Sequence, residues 1–418
     1  MDLLTIITIL LCISAIFSYL NERFIKLPDT IGIVTISVVV SVLILIAGKT
    51  GSGLSKTIVR FASGINFSKI LLDVMLGLLL FASALHLDYQ KLKEQRWPVI
   101  LLSTLGVVIS TFVFGGLIYV TLMLLPFNIP FSYCLVFGAL ISPTDPIAVS
   151  AILKKSKISP RLNTIILGES LFNDAVSLVL FVTLLAIAER SGATLTIGGI
   201  ERLFTQQVLE GIGIGVIAGF LGYRMIRSVK NFQTMLLISV ALVMAISFIA
   251  HQLQASIPLS AVTAGLIIGN KSLDKKHIVD KFLSRIWQLL DDVLNTILFV
   301  MIGLQLVLMP FVDNYWLVGL LSIIVILIAR LVSVSLPAVF LLHEVNFRNL
   351  SILTWAGVRG GISVAMALSL PDSPYREIIL SSCYFIVIFS IIIQGLTLNR
   401  LVTKLSRDYT LDKKTKAL

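Results

Sequence analysis

The sequence predicts an all-α polytopic membrane protein of about 13 transmembrane helices, and three observations carry that reading. The 418 residues are 57% hydrophobic and 13% charged, with a mean hydropathy of +1.00, whereas a soluble domain carries about 25% charged residues. No soluble fold could hide so much apolar surface, so lipid must solvate most of the chain. The apolar residues also fall into runs of the about 20 residues that a helix needs to cross a bilayer core. Finally, the basic residues behind the net charge of +11 lie in short clusters between those runs. They have no aromatic interleaving and form no basic recognition helix, which argues against a nucleic-acid binder.

Taken in order, the runs place spans near 3–20, 28–47, 66–85, 97–124, 130–152, 162–188, 203–223, 232–250, 256–270, 286–309, 314–341, 349–370 and 376–400. The ninth is short. The first lacks a basic leader and a small-residue cleavage site, so it is expected to be a retained span and not a signal peptide. Loops on the side of the carboxyl terminus hold 24 basic residues, from Arg23 and Lys26 to Arg348 and the tail, and the opposite loops hold 7. Cytoplasmic loops collect lysine and arginine. The amino terminus is therefore expected outside a cell membrane and the carboxyl terminus in the cytoplasm. Residues 1–400 are expected to form one transmembrane domain, and 401–418 a short basic cytoplasmic tail. Cys12, Cys134 and Cys383 stand far apart inside apolar runs, as small apolar residues do.

Arg330 and Arg359 fall inside spans eleven and twelve, with Asp73, Asp145, Glu169 and Asp174 inside other spans. Asp291 and Asp292 stand near the watery start of span ten. A charge at the bilayer centre costs a few kcal/mol on insertion scales, so each marks a candidate functional position. Four acids against two arginines leave two carboxylates that require a proton or a cation, which points to cation traffic.

Span six carries Gly168-Glu169-Ser170-Leu171-Phe172-Asn173-Asp174. On a helix Glu169 stacks on Asn173 and Ser170 on Asp174, so one face offers two carboxylates, an amide and a hydroxyl. These are hard oxygen donors suited to a small alkali cation. The competing structural role is a polar helix–helix interface, but such an interface rarely needs two acids on one turn. Span five reads Ser142-Pro143-Thr144-Asp145-Pro146, in which two prolines remove backbone donors and free carbonyls upstream. Span twelve has a second weak point, Gly357-Val358-Arg359-Gly360-Gly361. Breaks of this kind survive in lipid only where they are buried in protein or line a cavity. Two of them in separate halves point to an inverted-repeat transporter with its site at the midplane. The stretches that follow the breaks, 147–150 and 362–365, are also alike.

At these residues the chain resembles the Na+/H+ antiporters of the NhaP type, the bacterial and archaeal relatives of animal sodium–proton exchangers. The resemblance rests on 142–146, 168–174 and 357–361 in order and spacing, together with Asp291-Asp292 leading into 298–304, and it covers nearly the whole chain. It implies thirteen helices with two discontinuous ones crossing, a homodimer, and a core domain that moves against a dimerisation domain. It further implies that Asp174 is the cation and proton carboxylate, with Ser170 and the Thr144 backbone as further ligands of Na+ and Asp145 close by. Glu169 would pair with Arg330 as a structural ion pair, and Asn173 would help to hold the arrangement. Asp145 and Arg359 would sit where the broken helices cross. Electrogenic members of the wider superfamily have a second Asp where this chain has Asn173, so one cation per proton is expected. Some relatives have a Glu after the Phe of the third-span motif, where this chain reads Phe81-Ala82-Ser83. His86 is expected to be an interfacial residue. No cofactor is expected beyond the transported Na+ and H+, and no enzymatic activity. A K+/H+ exchanger of the same fold is the nearest alternative. A cation channel would want a ring of repeated donors. An intramembrane aspartyl protease would want an Asp dyad sharing a proton, a scheme with no place for Glu169 and Arg330.

Overall fold

The computed structural model describes residues 3–49, 53–145, 149, 158–189, 197–272, 278–308, 315–340 and 347–415, and these are helical almost throughout. In chain order the helices are α1 Leu3–Leu20, α2 Asp29–Lys49, α3 Gly53–Ser63, α4 Phe67–His86, α5 Tyr89–Glu94, α6 Arg96–Met123 and α7 Phe131–Ile141. They continue with α8 Pro160–Glu189, α9 Ile197–Ser228, α10 Phe232–Gln252, α11 Ile257–Ser272, α12 Ile278–Gln305 and α13 Trp316–Phe340. The last four are α14 Phe347–Trp355, α15 Gly361–Leu368, α16 Arg376–Phe389 and α17 Gly395–Thr415.

Among the described residues, ten helices are long and apolar enough to cross a membrane. The other three expected spans coincide with helices that are shorter or interrupted. Span five shows α7 and then an unwound Ser142–Asp145; most of its second half, including Pro146 and the stretch compared with 362–365, lies outside the described residues. Span nine is the short α11, and span twelve is α14 and α15 separated by 356–360. The helix of the last span runs on through most of the basic tail to Thr415.

Helix starts follow side-chain chemistry. Asn66, Asp88 and Asn231 each accept backbone N–H groups at the head of α4, α5 and α10, satisfying donors that no helical carbonyl reaches. Between helices, small residues let backbones approach, as packing in lipid favours. A Cβ at Gly269 on α11 would sit 2.5 Å from the Leu85 carbonyl of α4, so only glycine fits that crossing. The buried apolar side chains form two clusters. One draws on α1–α3, α6, α7 and α13–α17 with the start of α4 and the end of α12; the other draws on the rest of α4, α9–α11 and the start of α12. Large apolar side chains such as Leu4, Ile217, Leu237 and Phe248 face outward, the arrangement of a protein whose surroundings are themselves apolar. The two clusters meet at α4, α8 and α12, which contribute to both, and the unwound segments lie beside α8.

Candidate functional site

The site begins where α7 stops. Ser142 Oγ donates to the Gly138 carbonyl at 2.8 Å, and Pro143 cannot continue the helical ladder. The freed carbonyls of Ser142 and Pro143 both accept from Arg359 Nη1, the second at 3.1 Å. A guanidinium thus caps a helix carboxyl end, where the backbone carries partial negative charge. On the other side of the crossing, Asp145 N–H donates to the Val358 carbonyl at 2.7 Å. The Asp145 carboxylate lies at the amino end of α15, where a Cβ on Gly360 would meet Asp145 Oδ2 at 2.6 Å. Acid and base therefore each stand at the helix end of opposite sign. The Arg359 N–H in turn donates to Ser390 Oγ at 2.8 Å, and Ser390 Oγ bonds Gln394 Oε1. Both partners come from a π-helical turn, Ser390–Gln394, that interrupts the final helix.

From α8 come Glu169, Ser170, Asn173 and Asp174, each no more than 2% exposed. Arg330 Nη1 on α13 lies 2.5 Å from Glu169 Oε1. Its Nη2 donates at 3.2 Å to the Leu353 carbonyl in the last turn of α14. The second buried arginine therefore caps the second broken helix, while its charge is matched by Glu169. Thr144 Oγ1 and Ser170 Oγ are 2.9 Å apart, and Asn173 Nδ2 donates to Thr144 Oγ1 at 2.9 Å. These bonds pin the unwound strand of span five to α8. Asp174 Oδ1 is buried and has no hydrogen-bond partner among the described residues.

Asp174, Asp145 and Thr144 line one cavity of about 40 Å3, together with the apolar side chains of Leu76, Leu79, Leu80 and Leu298. On the measure of 10–15 Å3 per water-sized sphere, it has room for about three, enough for a partly dehydrated alkali cation and not for an organic solute. The buried Asp174 and the half-buried Asp145, beside a hydroxyl oxygen of Thr144, suit such an ion. Glu169 and Arg330 stand apart from the cavity lining, matched to each other.

Two further polar residues line the cavity, Ser83 of α4 and Asn295 of α12, and sequence reasoning did not single them out for that role. Ser83 directly follows the position where some relatives carry a Glu. Asn295 lies one turn after Asp291, whose carbonyl and Oδ1 accept from its Nδ2 at 2.7 and 3.1 Å. Ser390 and Gln394 were also unforeseen, because a π-turn that aims two polar side chains at another helix leaves no periodic trace. Asp73 is half-buried on a π-helical turn of α4 away from the cavity lining, and Asp292 is exposed.

Comparison with known proteins follows the same outline. A family model described as the transmembrane sodium/hydrogen exchanger matches residues 6–404. The chain is 38% identical to the Na+/H+ antiporter NhaP of Pseudomonas aeruginosa, covering 98% of this chain and 99% of that one. It is 30% identical to the Na+/H+ antiporter ApNhaP of Aphanothece halophytica, over 94% of this chain and 76% of the relative. In architecture it is similar to the sodium proton antiporter MjNhaP1 of Methanocaldococcus jannaschii at pH 8, with a TM-score of 0.81 over 97% of this chain and 99% of that one, at 18% identity.

Proposed function

The chain belongs to the sodium/hydrogen exchanger family, and from that premise we propose that it exchanges Na+ for H+ across a cell membrane, with Asp174 as the group both ions use in turn. The observation that carries the assignment is the buried Asp174 oxygen with no hydrogen-bond partner among the described residues, in a cavity that also holds Asp145 and Thr144. Every other buried charge of the site has a role in holding the helices. Glu169 is matched by Arg330, and Arg359 caps α7. Asp174 is left to bind and release.

In this reading Na+ sits on the Asp174 carboxylate with Ser170 and Thr144 oxygens beside it. Asn173 holds Thr144 in place and Asp145 lies within the same cavity. Proton and cation compete for one carboxylate, so either fills the site but not both. With Glu169 neutralised, the loaded site is neutral whichever ion it carries, and one cation moves per proton. Alternating access would come from movement of a core domain against a dimerisation domain within a homodimer. The amino terminus would lie outside and the basic carboxyl-terminal segment in the cytoplasm.

Purified protein in liposomes with an internal pH dye tests this. Added Na+ should drive proton efflux that saturates with Na+ concentration, and Asp174→Asn should abolish it while the melting temperature stays within a few degrees. Substantial pH-coupled Na+ flux in folded Asp174→Asn would remove Asp174 from the mechanism. Flux driven by K+ and not by Na+ would reassign the cation.

A further inference from the structure

We propose that His86 is a proton-operated clamp joining two of the helices that wall the ion cavity, closed when the imidazole is protonated and released when it is neutral. His86 is the last residue of α4. Its Nδ1 lies 2.6 Å from the Ala82 carbonyl of the same helix, and its Nε2 lies 2.9 Å from the Ser284 carbonyl of α12. A carbonyl oxygen only accepts hydrogen bonds, so each ring nitrogen must donate for both contacts to form. The neutral ring has one N–H, and the imidazolium has two. Both bonds therefore exist together only in the charged form. Once the ring is neutral, one nitrogen lone pair faces a carbonyl lone pair. The local bond to Ala82 is the shorter, so the contact to α12 is the one given up.

The placement of this contact gives it a consequence. Ala82 adjoins Ser83, which lines the cavity from α4, and α12 brings Asn295 and Leu298 to the same wall. Ser284 precedes Asn295 by roughly 16 Å of helix at about 1.5 Å per residue. The clamp thus sets the spacing of α4 and α12 at the end that the charge bias of the loops places toward the cytoplasm. His86 is exposed, so water and protons reach it.

Between the end of α11 and Ser284 the sequence carries Lys271, Asp274, Lys275, Lys276, His277, Asp280 and Lys281, whose side chains lie outside the described residues. Among the described residues near this end, Asp88 Oδ1 accepts from the Gln90 and Lys91 N–H groups, and its Oδ2 lies 3.6 Å from Lys91 Nζ, so that carboxylate is committed to α5. Arg285 follows Ser284 on α12. The neighbouring α11 offers Asn270, which accepts from Tyr89 N–H. The only ionisable residue of α10 is His251, in its last turn. On α8, the Arg161 side chain bonds Gln95, and Glu169 and Asp174 are buried in the site. Two donors exist only on the protonated ring, so the clamp tightens as pH falls and loosens as it rises.

The contact stands independently of the exchange reading; only its effect on transport rests on that reading, so the test has two arms. In a Cys12→Ser background, spin labels at Gln90→Cys and Leu289→Cys report the α5–α12 distance without any transport. That distance should lengthen or broaden from pH 6 to pH 8.5, and adding His86→Ala should leave it at the alkaline value throughout. In liposomes, His86→Ala should raise Na+-driven proton flux at pH 6 about two- to fivefold and leave it unchanged at pH 8.5. His86→Lys, a fixed cation, should keep flux low across the range. A label distance in the parent that does not respond to pH overturns the clamp, as does a normalised flux profile of His86→Ala that superimposes on the parent's.

Discussion

Replacing Glu169 by Gln tests the buried ion pair with little change of shape. The Arg330–Glu169 contact is 2.5 Å, with side chains 8% and 2% exposed, so almost no water is at hand to screen a charge left alone. Gln keeps a hydrogen-bond acceptor for Arg330 but removes the negative charge, and the arginine then stays charged in an apolar interior. Breaking a buried pair by removing one partner costs about 3–5 kcal/mol. Arg330 also caps the Leu353 carbonyl at 3.2 Å, and that bond survives in Glu169→Gln, which places the expected loss nearer 3 kcal/mol. At about 2 °C per kcal/mol for a large domain, the melting temperature in detergent should fall by about 6 °C, followed by intrinsic tryptophan fluorescence. Arg330→Met loses both the pair and the cap and should fall further. Joining the two substitutions should recover part of the loss, since no unmatched charge remains. If both single variants melt within about 1 °C of the parent, or if the double variant is worse than the sum of the two, the pair does not hold the helices.

Three further outcomes follow from the same geometry. Gly360→Ala places a methyl carbon 2.6 Å from Asp145 Oδ2, so the crossing must open. Exchange should drop at least about tenfold, equivalent to about 1.4 kcal/mol, and unchanged turnover would mean that the crossing is not rigid. Cysteines at Asp145 and Arg359 should be joined by a short bifunctional reagent, because the Asp145 N–H and Val358 carbonyl are 2.7 Å apart; absence of a cross-link in every ion condition would contradict the crossing. Exchange should also ignore voltage. The membrane potential is worth about 2.3 kcal/mol per charge per 100 mV, and a neutral loaded site feels none of it. Na+ flux that changes steeply across clamped diffusion potentials would bring in a second carboxylate, with Asp145 the nearest candidate.

What the sequence determined by itself was everything set by local composition. Apolar runs of bilayer length require helices, because lipid offers backbone groups no other partner, and the run lengths were enough to mark an all-helical chain with many membrane-spanning helices. The acids and arginines inside those runs stood out for the same reason, since an ionised group in lipid is too costly to be incidental. Prolines around Asp145 and glycines around Arg359 marked where helices stop. Tertiary structure alone decided which end of which helix each charge meets. Arg359 caps α7 from more than two hundred positions away, and Arg330 closes both on Glu169 and on the end of α14. Ser83 and Asn295 enter the cavity wall although neither carries a charge to announce it, and Ser390 reaches Arg359 only because its helix widens by a π-turn. His86 looks like an ordinary helix-end residue until Ser284 is placed against its ring. Hydrogen bonds act over about 3 Å, and the sequence carries no record of which distant carbonyl will lie at that distance.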